Sequence, residues 1–157
     1  MFKNQKSAMI KIIPIGIIVV GLFICVGAAS STSPEVSAVS PDKALQNLKD
    51  GNDSFAAGKS SHLRIDSARI IETSKNGQHP FATILTCSDS RVPAELIFDQ
   101  GIGDIFIVRV AGNVCNKDEA GTIEYGVGHL GTGLLVVLGH TGCGAVEAAI
   151  SGKPLDG

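Results

Sequence analysis

The chain reads as an α/β domain, a parallel β-sheet core with flanking helices, over residues 41–157. Three apolar runs predict it: Phe81 to Thr86, Asp104 to Val110 and Leu134 to Leu138, with helical periodicity between them. Strands that alternate with helices build parallel sheets through crossovers. Inside the runs apolar residues are nearly continuous, as strands buried on both faces require. With 157 residues the chain holds one domain at most, and three strands make a narrow sheet.

Residues 1–29 stand apart from that domain. Lys3, Lys6 and Lys11 precede eighteen uncharged residues, Ile12 to Ala29. A basic start followed by an apolar stretch is the pattern of an export signal, and the small residues Gly27 to Ser30 suit cleavage. The rival reading is a retained membrane anchor, since eighteen apolar residues just suffice to span a bilayer. Pro14 and three glycines weaken such a span. Both readings put the domain outside the cytoplasm, exported to the periplasm or medium or tethered to a membrane through its N-terminus. Residues 30–40 form a serine-rich linker.

The elements then follow in order. Ser40 is a helix N-cap with Pro41 at the first helical position, and Ala44, Leu45, Leu48 and Phe55 recur near helical spacing up to Gly58. A second helix covers Ser67 to Lys75, with Gly77 past its end. Phe81 to Thr86 is the first strand, Pro93 to Phe98 a short helix, and Asp104 to Val110 the second strand. Glu119 to Leu130 is a helix with Ile123, Val127 and Leu130 on one face. Leu134 to Leu138 is the third strand, and Gly144 to Ile150 a last helix.

Composition excludes some functions. Apart from the three leading lysines, ten basic side chains meet fifteen acidic ones, a net of −5. Nucleic-acid binding calls for basic clusters, and none is present. Gly126-Val-Gly128-His-Leu-Gly131 fits G-x-G-x-x-G, but it follows a helix and precedes a strand. The dinucleotide fingerprint needs the opposite order.

The chemistry concentrates in two short motifs: Cys87-Ser-Asp89-Ser-Arg91, and His140-Thr-Gly142-Cys143. Each follows an apolar strand, and ligands of open α/β sheets bind at the carboxyl ends of strands. Two cysteines and a histidine are a catalytic-type zinc set, three protein ligands with a fourth position open. Two other readings stand beside it. Cys87 and Cys143 can be small buried residues, or a disulfide, which export favours and which would abolish the site. Asp89 and Arg91 are two apart, so on an extended segment they point the same way. Cys115 lies in the loop after the second strand with no motif, a free thiol.

Residues 78–150 resemble the β-class carbonic anhydrases. The resemblance rests on Cys87-Ser-Asp-Ser-Arg-Val-Pro-Ala-Glu-Leu-Ile-Phe-Asp99, Gly103-Asp-Ile-Phe-Ile-Val-Arg-Val-Ala-Gly-Asn113, Gly121-Thr-Ile-Glu-Tyr125 and Gly139-His-Thr-Gly-Cys-Gly-Ala-Val146, in that order. It implies a β-carbonic anhydrase-like fold, C-terminally truncated, because the family has at least one more strand and further helices. It also implies zinc held by Cys87, His140 and Cys143, and hydration of carbon dioxide to bicarbonate by hydroxide generated at the ion.

Further roles follow from the resemblance alone. Asp89 and Arg91 form a dyad in which Arg91 holds the carboxylate off the metal; a freed Asp89 becomes the fourth ligand of a closed state. Gln78 and the Gly142 amide donate to substrate, and Phe106 and Tyr125 line the carbon dioxide pocket, often across a dimer interface. A homodimer or higher homo-oligomer is implied. His79, next to Gln78, is a candidate proton relay, whereas His62 and His129 match no ligand position. Two alternatives stay open: a carbon disulfide or carbonyl sulfide hydrolase on the same fold, and an inactive zinc-binding module.

Overall fold

The computed structural model describes residues 39–152. The export signal or anchor, and the linker up to residue 38, lie outside the described residues. Among the described residues no helix is long and apolar enough to cross a membrane.

Helix α1 spans Pro41–Ala56, and the Ser40 hydroxyl accepts from the Lys43 N–H at 3.3 Å, the cap its sequence predicts. Helix α2 spans Ser67–Asn76, capped by the Asp66 carboxylate, which accepts from the Arg69 N–H at 2.9 Å. Strand β1 is Ala82–Cys87, α3 the single turn Ala94–Ile97, and β2 Ile105–Val110. A 3₁₀ turn, Ala111–Asn113, leads to α4, Lys117–Glu124, and a π-helical turn, Tyr125–His129. Strand β3 is Leu135–Leu138, and α5 is Gly144–Ser151.

The sheet is parallel, in the order β2-β1-β3. Ala82 to Cys87 pair one to one with Ile105 to Val110, and Thr83 to Thr86 with Leu135 to Leu138. All six residues of the central β1 are buried, as expected of a parallel strand covered on both faces. On one face Ala82 and Ile84 join Leu48 of α1, Val92, Ala94, Ile97 and Phe98 around α3, and Val136 and Leu138 of β3 in one apolar cluster. Fully burying one such large side chain contributes roughly 1.5–3 kcal/mol. This face therefore fixes α1 and α3 against the sheet.

Two elements differ from the expected boundaries. The helix expected over Glu119 to Leu130 stays α-helical only to Glu124, then widens so that the Leu130 N–H donates to the Tyr125 carbonyl, five residues back. Gly126 sits against β1 and β2; a Cβ there would lie 2.4 Å from Thr83 Oγ1 and 2.9 Å from the Phe106 ring. The inserted residue turns the helix face, so Val127 is exposed and Ile123 only half-buried. The second strand begins at Ile105 because Asp104 serves as an anchor instead. Its buried carboxylate accepts from Arg64 Nη2 at 2.6 Å, the Gly101 N–H at 2.9 Å and Arg69 Nη2 at 3.4 Å.

Candidate metal centre

Cys87 is the last residue of the central strand, and His140 and Cys143 lie in the loop after its neighbour β3. Parallel pairing brings these two strand ends side by side. The ligating atoms of Cys87, His140 and Cys143 lie within 4.8 Å of one another. Both cysteines are buried, and the His140 side chain is only 11 % exposed.

The two sulfurs are 3.8 Å apart, and both cysteines are free thiols, so the disulfide alternative is not what the fold adopts. Tetrahedral zinc with Zn–S bonds of about 2.3 Å separates its sulfurs by about 3.8 Å. His140 Nδ1 is 3.1 Å from the Thr141 carbonyl, which can only accept, so Nδ1 carries the proton. That fixes the tautomer and leaves Nε2 as a bare acceptor. Nε2 is buried without a hydrogen-bond partner. A buried orphan nitrogen is costly unless something binds it. Two soft sulfurs and one imidazole suit zinc.

Burial alone would push the Cys87 thiol up. The Asp89 N–H at 3.4 Å, the neighbouring His140 ring, the Gly112 N–H at 3.2 Å and Cys143 together outweigh it and lower the thiol to about 7. The pocket thus favours the thiolate a metal needs.

Asp89 and Arg91 meet through a turn, not along an extended segment. The Val92 N–H donates to the Asp89 carbonyl at 3.0 Å, which closes the turn and reverses the chain. The Arg91 N–H and Nε each donate to Asp89 Oδ1 at 2.9 Å, and Nη2 donates to Oδ2 at 2.7 Å. These bonds hold the carboxyl well below the usual carboxylate range. Asp89 Oδ2 is 3.8 Å from His140 Nε2, at the edge of the cluster. Arg91 Nη2 also donates to the Gly142 carbonyl at 2.8 Å.

The remaining expected site residues divide by position. Gly142 adjoins Cys143. Gln78 and Tyr125 share an open hollow with Ile70, Ile102, Gly103 and Leu130, and Phe106 meets Tyr125 with ring centroids 5.8 Å apart. That hollow lies at the start of β1 and β2, whereas Cys87 ends β1, about 16 Å along the strand. His79 is beside Gln78, with Nε2 near the Asn76 carbonyl. Within one chain, Gln78, His79, Phe106 and Tyr125 lie toward the start of the strands, away from the cluster.

Two supporting features escaped the sequence reading. Arg109 of β2 donates through Nε to the Cys87 carbonyl and through Nη2 to the Asp89 carbonyl, at 3.3 and 3.0 Å. The signal was there: Arg109 is the one charged residue in an apolar strand. Phe55 and Asn52 of α1 join Val92, Ile97 and Leu138 in a mostly apolar hollow that reaches Arg91 and His140. No local motif marks that wall, which tertiary packing alone creates.

Comparison with known proteins agrees with this geometry. Residues 82–156 match the family described as carbonic anhydrase. Carbonic anhydrase 2 of Mycobacterium tuberculosis is 48% identical over 113 residues, 71% of this chain and 53% of that protein. The carbonic anhydrase of Mycolicibacterium smegmatis is 47% identical over 111 residues, with the same coverage. The chain thus spans about half the length of the curated relatives it matches. Among solved structures, a tetrameric β-carbonic anhydrase of Sordaria macrospora superposes with a TM-score of 0.53 at 28% identity, over 72% of this chain and 57% of that one. The β-carbonic anhydrase CafA of Aspergillus fumigatus gives 0.53 at 33% identity, over 71% and 53%.

Proposed function

We propose that this chain, which matches the carbonic anhydrase family over residues 82–156, is a β-carbonic anhydrase that hydrates carbon dioxide reversibly to bicarbonate, with zinc held by Cys87, His140 and Cys143. The observation that carries this reading is the bare, buried His140 Nε2 facing two sulfurs 3.8 Å apart. Zinc bound there supplies a water acidified enough to act as a nucleophile near neutral pH.

The chain's own residues set the conditions for that chemistry. Two thiolates cancel the formal charge of a divalent ion, so acidification depends on their surroundings. The Gly112 and Asp89 N–H groups that donate to Cys87 Sγ draw charge off that sulfur. The Arg91 fork keeps Asp89 ionised and turned away, which leaves a fourth position open. With the fork broken, the Asp89 carboxylate would be free to join Cys87, His140 and Cys143 as a fourth ligand to zinc.

Gln78, Phe106 and Tyr125 act on the cluster of a neighbouring copy, since they lie at the opposite end of the strands from their own. Gln78 and the Gly142 amide donate to the bicarbonate oxygens, and the two rings wall the carbon dioxide pocket. A homodimer is the smallest assembly that does this; the Sordaria protein is described as tetrameric. Residues 1–29 act as export signal or membrane anchor, so the domain works outside the cytoplasm.

Stopped-flow carbon dioxide hydration on the zinc-loaded protein, beside Cys143→Ser, tests the reading. Turnover that disappears in the variant is the expected result. Zinc uptake without turnover, in a protein that forms its oligomer, would make the chain a metal-binding module and not an enzyme.

A further inference from the structure

We infer that Arg91 positions the metal cluster in its own right, by tying together the two loops that carry the ligands, and not only by holding Asp89. The inference rests on the reading that Cys87, His140 and Cys143 bind zinc. The sheet ladder joins β1 to β3 as far as Thr86 and Leu138. Past that pair the chains enter separate loops, 88–93 and 139–143. Among the described residues no backbone hydrogen bond connects these loops. Arg91 does connect them. Its Nε and Nη2 grip Asp89 in the first loop, and Nη2 reaches the Gly142 carbonyl in the second at 2.8 Å.

The first loop has other restraints. Arg109 grips the carbonyls of Cys87 and Asp89, and the Ser88 N–H continues the ladder to the Val110 carbonyl at 3.2 Å. The second loop has a conformational liability. Gly142 has φ +63, the left-handed region, and nothing lies within 4 Å of where its Cβ would be. The Arg91 bond to its carbonyl restrains the Gly142 peptide, and Cys143 follows directly. Arg91 is the hand that fixes the spacing between Cys87 and Cys143 Sγ. Planar guanidinium geometry suits this bridging, because its donors serve two acceptors at once.

An Asp89→Asn background separates the two roles. If Arg91 acts only through the Asp89 carboxylate, its loss changes nothing further once that carboxylate is gone. Zinc release to a chromogenic chelator is the readout, with the visible spectrum of the Co²⁺-loaded protein as a second. The double variant Asp89→Asn/Arg91→Gln is expected to release zinc roughly 10–100-fold faster than Asp89→Asn alone, the usual range for support of a metal ligand. Its Co²⁺ spectrum is expected to change as the tetrahedral geometry relaxes, while the two zinc-free proteins melt together. Equal release rates with superimposable spectra would overturn the inference. So would a fall in zinc-free melting large enough to account for the faster release. A wild-type protein that takes up no zinc would instead defeat the zinc reading itself.

Discussion

The two ends of the sheet are built differently. At the carboxyl ends, Cys87, His140 and Cys143 converge with Asp89, Arg91 and Arg109 into a pinned donor cluster complete within one chain. At the amino ends, Gln78 and Tyr125 sit in an open hollow over Ile102 and Gly103. Before β2, Asp104 accepts from Arg64 at 2.6 Å, and Asp99 accepts the N–H groups of Ser61 and His62 at 2.7 and 3.0 Å, which tie that loop to the chain leading into β2. One end has the candidate metal ligands without Gln78; the other has Gln78 and Tyr125 without those ligands. The proposed function therefore calls for two copies of the chain, each contributing one half of a site.

The largest effect falls on the cluster itself. Cys87→Ser or Cys143→Ser should abolish zinc binding in a dialysis and metal-content assay, well beyond the roughly 10–100-fold that changes around a metal ligand cost. Next comes the division of labour. Gln78→Ala should lower kcat by roughly 10²–10³-fold, as loss of an oxyanion donor does, with zinc content unchanged. Mixing that protein with Cys143→Ser then separates one-chain from two-chain sites. Shared sites in a two-fold dimer should recover about a quarter of wild-type turnover after subunit exchange; no recovery would confine each site to a single chain.

A smaller effect follows from the Cys87 thiol, which is held at about 7. The folded value lies below the unfolded one, so the thiolate's contribution to the zinc-free fold is complete above about pH 9. Stability from this group falls as pH drops from about 9 through 7. Zinc uptake competes with protons over the same range, so apparent affinity should weaken by about tenfold or more per pH unit below 7. Calorimetric melting of zinc-free protein and chelator competition across pH 6–9 check both. The smallest effect belongs to the amino end. Asp104→Ala strands the Gly101 N–H and Arg69, and should cost about 1–3 kcal/mol in urea unfolding while zinc affinity holds.

The carboxyl end was the legible one. Three apolar runs gave the parallel sheet, and two motifs each following a run marked the strand ends that the β2-β1-β3 order brings side by side. Asp89 and Arg91 were paired correctly but for the wrong local reason: the turn closed by Val92 joins them, not strand alternation. Turn type depends on backbone dihedrals that a C-x-D-x-R pattern leaves open. The widened turn at Tyr125 to His129 was invisible, because helical periodicity reads the same until Gly126 has to meet Thr83. The separation of Gln78 from the cluster was equally hidden, since nine residues of spacing say nothing about which end of the strand a side chain reaches.

The most direct test of the central claim is X-ray absorption at the zinc edge of the metal-loaded protein. The account predicts two sulfur neighbours at about 2.3 Å and one imidazole nitrogen at about 2.0–2.1 Å, with a single light atom completing four-fold coordination. A shell of nitrogen and oxygen alone, or only one sulfur, would contradict it.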